Sequence, residues 1–410
     1  MYTALTNGII ITEEGLVYGH ALLLEDDAIA GLVPRERLSG LSVGAWDDME
    51  GQYISPGFID IHSDMIEQII SPRPSCMMDF EMAIKEGEKQ LLSQGITTMY
   101  HSLSLYRDSL FGVKQVRTAS NVTQLAALIG RLHGRSHLIR HRFHARYEID
   151  NVGSMDLLRG MIEDGLVHEL SIMDHTPGQG QYRDLDIYRR QIGGYRDAPI
   201  SEEEWQAVLR MHREKEKPTL EELSGLVELA LSYGIPVSSH DDDTVEKVEL
   251  VHSMGVGISE FPVTMEAARH AKRLGMLTVG GAPNVLLGGS HAGNISVAEA
   301  IGEGMLDVLC SDYYPAAMLH AVFLLHNKHG LPLHRAVNLV SANPARAMGI
   351  GAAYGSIAPG KKADLICIRE MDGYPVITGA YIGGQRVLRL DYRRGETQDA
   401  YAAARREAKL

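Results

Sequence analysis

Apolar residues in this chain fall into two alternating patterns. Short, nearly continuous apolar runs are followed by longer stretches in which apolar positions recur at helical spacing. The run "ISPGFIDIHSD" leads into "FEMAIKEGEKQLLSQG", and "ITTMYHSLSL" into "VTQLAALIGRLHG". "LIRHRFHARYEI" precedes "SMDLLRGMIEDG", and "VHELSIMDH" precedes, after a long interruption, "TLEELSGLVELALSYG". "IPVSSHDDD", "VGISEFP", "MLTVGGAPN" and "MLDVLCSDYYP" complete the series, the first three followed by "TVEKVELVHSMG", "TMEAARHAKRLG" and "VAEAIGEG". Most of the helical stretches stop at glycine, which accepts the left-handed conformation that ends a helix. Sustained strand–helix alternation predicts a parallel sheet. Eight such units predict an α/β fold of the closed (β/α)₈ type, a TIM-like barrel. An open doubly wound sheet is the alternative, but no G-x-G-x-x-G turn follows the first strand.

Two flanks break the pattern. Residues 1–54 and 353–395 are rich in short apolar runs and turns, and predict one small composite β-domain, a sandwich built from both chain ends. The barrel is then expected over 55–352. A long insertion at about 176–218 interrupts it between the fourth and fifth strands. Insertions of this length inside compact domains are often lids or binding loops.

Composition narrows the function. Hydrophobic residues make up 45% of 410, enough for a large core. The formal net charge is −14, which argues against a general nucleic-acid surface. It does not argue against an anionic small molecule, because a pocket can concentrate a few cations. Cys76, Cys310 and Cys367 are widely spaced with no CxxC, so neither a disulfide framework nor a thiolate zinc site is expected. No apolar run is long enough to span a bilayer, and no signal peptide is evident at the start. The expectation is a cytoplasmic protein, a homo-oligomer, with no membrane or nucleic-acid partner.

In a (β/α)₈ barrel the chemistry sits at the C-terminal ends of the strands. Here those ends carry His62 and Asp64, Glu148 with His144 and Arg146 on one face, Asp174 and His175, His240 and Asp241, Glu260, and Asp312 followed by Tyr313. His62 and Asp64 share a face if the strand stays extended through both. A lone polar strand end is usually structural. Convergence of this many on one mouth points to a metal site with nitrogen and oxygen ligands. His101, His133, His137, His141 and His252 lack that convergence and read as structural or exposed.

"PGFIDIHSD", a histidine at strand 5, an aspartate at strand 8 and "GSIAPGKKADLICI" resemble the amidohydrolase superfamily. "SPRPS", "SIMDHTPGQGQY", "SSHDDDT", "EFPVTMEAA", "GAPNVLLGGSHAGN" and "SDYYPAAML" resemble, within it, the ribosyl triphosphate diphosphatase branch of the carbon–phosphorus lyase pathway. The resemblance implies a divalent metal, zinc first and manganese or iron as alternatives, as one ion or two. It implies a ligand set of His62, Asp64, Glu148, His175, His240 and Asp312. Asp64 stands where a second histidine is usual, Glu260 where strand 6 often carries one, and no lysine ends strand 4. Glu148 is therefore the expected bridging carboxylate.

The implied reaction is hydrolysis of a ribose 1-phosphonate 5-triphosphate to the 5-phosphate and pyrophosphate by metal-activated water. Asp312 is the expected general base. Arg73, Arg146, Asn284, Ser290, His291 and Tyr313 are the expected substrate contacts, the glycine-rich loop after strand 7 supplying backbone N–H groups. Arg146 reads either as a phosphate clamp or as an ion-pair partner of Glu148. Two other readings compete: a C–N hydrolase of the same superfamily, and a non-catalytic scaffold of a phosphonate-processing assembly.

Overall fold

The computed structural model describes residues 1–73, 76–105, 115–194, 200–289 and 294–392. Eight parallel strands pair in strict chain order. They are strand 1 (Phe58–Ser63), strand 2 (Ile96–Leu105), strand 3 (Arg140–Glu148), strand 4 (Glu169–Met173), strand 5 (Val237–His240), strand 6 (Ile258–Glu260), strand 7 (Leu277–Gly281) and strand 8 (Val308–Cys310). The ring closes where Ser63 bridges to Asp312. There the Asp312 N–H donates to His62 O at 2.9 Å and the Asp64 N–H to Asp312 O at 3.0 Å. The fold is the (β/α)₈ barrel that the alternation predicts.

Side-chain caps and packing explain the helices. Asp79 caps Phe80–Ser93 through the Met82 N–H, and Thr219 with Glu222 forms a capping box on Leu220–Ser232. Their apolar faces join Leu103, Phe143, Ala145 and Leu170, the outward residues of strands 2 to 4, in one buried cluster. Gly95 ends the first of these helices at φ 91°; a Cβ there would stand 3.0 Å from Ile366. Only glycine fits that turn without moving its neighbour.

The chain ends build two further sheets. A four-stranded sheet comes from Tyr2–Thr6, His20–Glu25, Ala28–Pro34 and Val43–Asp48. A six-stranded sheet joins Ile9–Ile11, Leu16–Val17 and Tyr53–Pro56 to Leu365–Met371, Tyr374–Ile382 and Gln385–Arg389. Leu5, Leu22, Ile54, Leu365 and Tyr381 pack in one core across the two sheets, giving a sandwich. The opposite side of the six-stranded sheet, with Ile366, Ile368 and Ile377, packs with Phe58, Ile96 and Phe323 of the barrel. The Arg140 Nε to Asp364 Oδ2 pair, at 2.7 Å, adds a polar tie.

After strand 4 come a short turn (Gly180–Tyr182) and two helices, Leu185–Gly194 and Glu202–Glu214. They carry their own small core of Tyr188, Ile200, Trp205 and Val208. Two methionines of "CMMDFEMA" are exposed, Met78 and Met82. Met82 lies on the solvent side of its helix, whose buried positions are Phe80, Ala83, Ile84 and those in register with them.

Candidate active site

Strands 3, 4 and 5 bring Glu148, His175, His240 and Asp241 together at the barrel mouth. His175 Nδ1 lies 2.6 Å from Glu148 Oε1, and its Nε2 lies 3.6 Å from Asp241 Oδ2. His240 Nδ1 is 2.9 Å from the same Asp241 oxygen, without hydrogen-bond alignment. The His175 and His240 rings are 5.6 Å apart. Four buried atoms of this group have no hydrogen-bond partner among the described residues: His175 Nε2, His240 Nδ1, His240 Nε2 and Asp241 Oδ2. An unsatisfied buried polar atom costs about 1–3 kcal/mol, so four in one place demand a reason. One ligand atom each from His175, His240 and Asp241 lies within 4.8 Å of the others. A divalent cation accepts all of them at once, and imidazole with carboxylate suits zinc or a similar ion.

The electrostatics agree. Burial opposes charge on His175, but Glu148 and Asp241 beside it outweigh burial and push its pKa up to about 10. Burial likewise opposes ionisation of Asp241, yet His240 and His175 hold it well below the usual carboxylate range. The same contest, won by His175, lowers Glu148. The pocket is built for net positive charge among its carboxylates, as a bound proton or as a metal ion.

His62, Asp64 and Asp312 form the adjoining side. The His62 ring is 5.5 Å from that of His240. Burial and then Asp64 push the Asp312 carboxyl up to about 7. Asp64 reaches this place by a route the strand pattern did not predict. Strand 1 ends at Ser63, and Asp64 caps the short helix Met65–Ile70 with φ −96° and ψ 12°. It is the Asp64 N–H bond to Asp312 O, not strand alternation, that anchors it beside strand 8.

Residues just past three strand ends are left-handed: Asp241 (φ 55°), Phe261 (φ 53°) and Asp312 (φ 57°). Each still continues the barrel ladder, donating its N–H at 2.9 Å to Glu260 O, Val279 O and His62 O respectively. Such conformations cost on the order of 1–3 kcal/mol and concentrate at functional sites. Lys247 helps hold the first of them, donating from Nζ to His240 O at 2.7 Å and Asp241 O at 3.1 Å.

A second convergence, of His62, His144 and Glu260, lies deeper in the barrel. It differs chemically, because both Glu260 oxygens, both His144 nitrogens and His62 Nδ1 are already bonded. Glu260 Oε1 is 3.1 Å from His62 Nδ1, and its Oε2 accepts from Ser171 Oγ. His144 contacts Ser171 Oγ at 2.6 Å through Nε2, and Ile61 O at 3.0 Å and Ser102 Oγ at 3.1 Å through Nδ1. His144 therefore belongs to a hydrogen-bonded floor and not to the ligand cluster.

The expected substrate residues are scattered. Arg146 is partly buried on strand 3, close enough to depress His62; among the described residues it makes no ion pair, with Glu148 or any other acid. Its guanidinium touches Met173 Sδ at 3.2 Å. Arg73 sits in an exposed turn closed by the Cys76 N–H to Arg73 O bond. Asn284 lines a small cavity with Phe261, whose ring lies 5.1 Å from His240, and makes no hydrogen bond with the ligand cluster among the described residues. Tyr313 is 39% exposed beside Asp312. Ser290 and His291 lie outside the described residues. Of the insertion's arginines, Arg189 is committed to Glu202 at 2.7 Å and to the Trp205 ring.

Asp241, a strand-end residue left out of the expected ligand set, and Tyr182 of the insertion both border this cluster. The Tyr182 ring lies 5.8 Å from His175, and Gly180 donates its N–H to Asp243 Oδ2 at 2.8 Å, joining the insertion to the mouth. "HDDD" was a signal: one aspartate meets the histidines, Asp242 accepts from Ser239 and Ser259, and Asp243 meets the insertion. Nothing in the sequence distinguishes the three tasks.

Known proteins fit this geometry. The amidohydrolase family description matches residues 212–387. The chain is 32% identical over 353 residues to the alpha-D-ribose 1-methylphosphonate 5-triphosphate diphosphatase of Escherichia coli K12, covering 83% of this chain and 89% of that protein. Among solved structures, N-acetylglucosamine-6-phosphate deacetylase from Pasteurella multocida superposes with TM-score 0.60 at 13% identity, over 94% of this chain and 99% of that one. A putative prolidase from Bifidobacterium longum gives 0.62 at 17% identity, over 100% and 99%. The two structures speak for the fold alone. Fold, mouth and a relative of this identity and coverage lead to one statement: the chain is an enzyme of the amidohydrolase superfamily.

Proposed function

We propose that the protein hydrolyses a ribose 1-phosphonate 5-triphosphate to the 5-phosphate and pyrophosphate. The observation that carries this reading is the 32% identity to the diphosphatase, over 83% of this chain. The unpaired Arg146 in the mouth supports it, since an uncommitted guanidinium beside the carboxylates suits an anionic substrate. Phosphoric anhydride cleavage asks for a positioned water, a base for its proton, and cations on the transferring and leaving phosphoryl groups.

His62, Asp64, Glu148, His175, His240 and Asp312 are the proposed holders of one or two divalent ions, with Asp241 added. Such an ion, when bound, brings the pKa of a coordinated water toward neutrality and offsets charge on the phosphoryl oxygens. Asp312 takes the proton of the attacking water, from a position fixed by its two backbone bonds to strand 1. Arg146 binds a phosphate oxygen from the inner side, and Tyr182 with the insertion excludes bulk water over His175. Arg73 and Tyr313, exposed at the rim, meet the outer part of the substrate. A substrate panel tests the reading: pyrophosphate release from ribose 5-triphosphates bearing a 1-phosphonate supports it. Turnover of cyclic amides or nucleobases instead overturns it in favour of C–N hydrolysis.

A further inference from the structure

The inward positions of small parallel barrels are ordinarily filled by Val, Ile and Leu. Below the mouth of this barrel they are instead Ser102, His144, Glu169, Ser171, Ser238 and Glu260, all buried. Burying carboxylates is costly unless each is fully bonded. Glu260 has 0% exposure and uses both oxygens, one on His62 Nδ1 and one on Ser171 Oγ. Ser171 is in turn held by His144 Nε2, and His144 by Ile61 O and Ser102. The chain of bonds ends on backbone and cannot shift without breaking several of them.

The consequence falls on His62. Its Nδ1 faces a carboxylate oxygen and so carries the proton. That leaves the lone pair on Nε2, which makes no hydrogen bond among the described residues. The ring is also boxed by Phe261 at 5.0 Å and His144 at 5.1 Å, each edge-on. We infer that Glu260 is a positioning residue: through Nδ1 it fixes the tautomer and orientation of His62, and so presents Nε2 to a divalent cation at the mouth without binding that cation itself. A carboxylate behind a histidine also makes the ligating nitrogen more basic, and loss of such a partner weakens metal binding by roughly 10–100-fold. The inference rests on the metal-site reading above.

The test is zinc titration of the full, chelator-stripped chain by calorimetry, with wild type, Glu260→Gln and Ser171→Ala. Glu260→Gln is expected to keep the wild-type stoichiometry and weaken affinity by roughly 10–100-fold. Ser171→Ala, which frees one Glu260 oxygen, should weaken it in the same direction by a smaller factor. Nitrogen chemical shifts of ¹⁵N-labelled imidazoles should show His62 protonated at Nδ1 in the wild type and a mixed tautomer in Glu260→Gln. Loss of one equivalent of zinc in Glu260→Gln would make Glu260 a ligand and overturn the inference. Unchanged affinity in both variants also overturns it. Should Glu260→Gln fail to fold, Ser171→Ala decides alone by the same criterion. A wild-type chain that takes up no zinc removes the metal-site reading itself, a result distinct from wild-type uptake with unaltered variants.

Discussion

Two buried groups of histidines and carboxylates sit in the same barrel, one at the mouth beyond strands 4 and 5 and one outside the wall at strands 2 and 3. At the mouth, His175, His240 and Asp241 converge with four polar atoms unsatisfied. Outside the barrel wall, His101, His141 and Glu88 lie between strands 2 and 3 and helix Phe80–Ser93, with their contacts closed. His101 Nε2 meets His141 Nδ1 at 2.9 Å, and His141 Nε2 meets Glu88 Oε2 at 3.3 Å. That same Glu88 oxygen accepts the Leu138 N–H at 2.7 Å, and Lys85 approaches Glu88 Oε1 at 3.4 Å. Residue types do not separate the two groups. Hydrogen-bond bookkeeping does: where neighbours use every donor and acceptor, histidines are scaffolding, and where atoms converge unpaired, a cation is called for.

The sharpest way to break the comparison is at Asp312. Asp312→Asn should lower pyrophosphate release by roughly 10²–10⁴-fold with the circular dichroism spectrum unchanged, whereas His141→Asn should leave kcat near wild type. Retained turnover in the first variant ends its role as base. Metal content measured on purified protein gives the next contrast. His240→Ala should lose at least one equivalent of ion, while His141→Asn keeps the full complement; equal losses would mean that the mouth is not special.

Chelation separates the groups through stability. An ion at about 100 times its Kd stabilises the fold by about 2.7 kcal/mol, so stripping it should lower Tm measurably in wild type. The same decrement is expected in His141→Asn and none in His240→Ala with His175→Ala. A smaller effect concerns pH. Burial, with His141 next, holds the His101 pKa well below its ordinary value, and burial lowers His141 despite Glu88. A histidine depressed in the fold contributes stability above its unfolded pKa of about 6.5 and loses it as pH falls. Glu88, Lys85, His137 and Arg142 are the other charged or titratable groups that face this pair. His101→Leu should therefore flatten the decline of unfolding free energy between pH 7 and 5, by up to about 1.4 kcal/mol per pH unit. An unaltered slope would show that this pair does not titrate on unfolding.

Much of the fold was legible because periodicity is local. Buried parallel strands need continuous apolar runs, their helices need 3.6-residue spacing, and both patterns are written along the chain. The strand ends that carry the candidate donors were legible for the same reason, since a βα unit announces where its strand stops. Asp64 was found through a rule that does not apply to it: the chain has already turned into a helix, and a backbone bond to strand 8 carries the side chain to the site. Arg146 was ambiguous between clamp and ion pair because its own segment does not record where other strands place their acids; among the described residues its side chain meets Met173 Sδ.

By itself, the sequence determined the barrel, the two β-rich ends, the long insertion and the candidate donors, all properties of neighbours along the chain. Tertiary structure alone decided which donors remain unpaired. His144 within strand 3 and His240 at the end of strand 5 are both buried histidines of the barrel, yet Ser102, Ser171 and Ile61 satisfy the first, and among the described residues neither ring nitrogen of the second finds a hydrogen-bond partner. The reason is physical. Whether a buried polar atom is satisfied depends on groups brought from distant strands, and no periodicity in one segment records what another segment will place beside it.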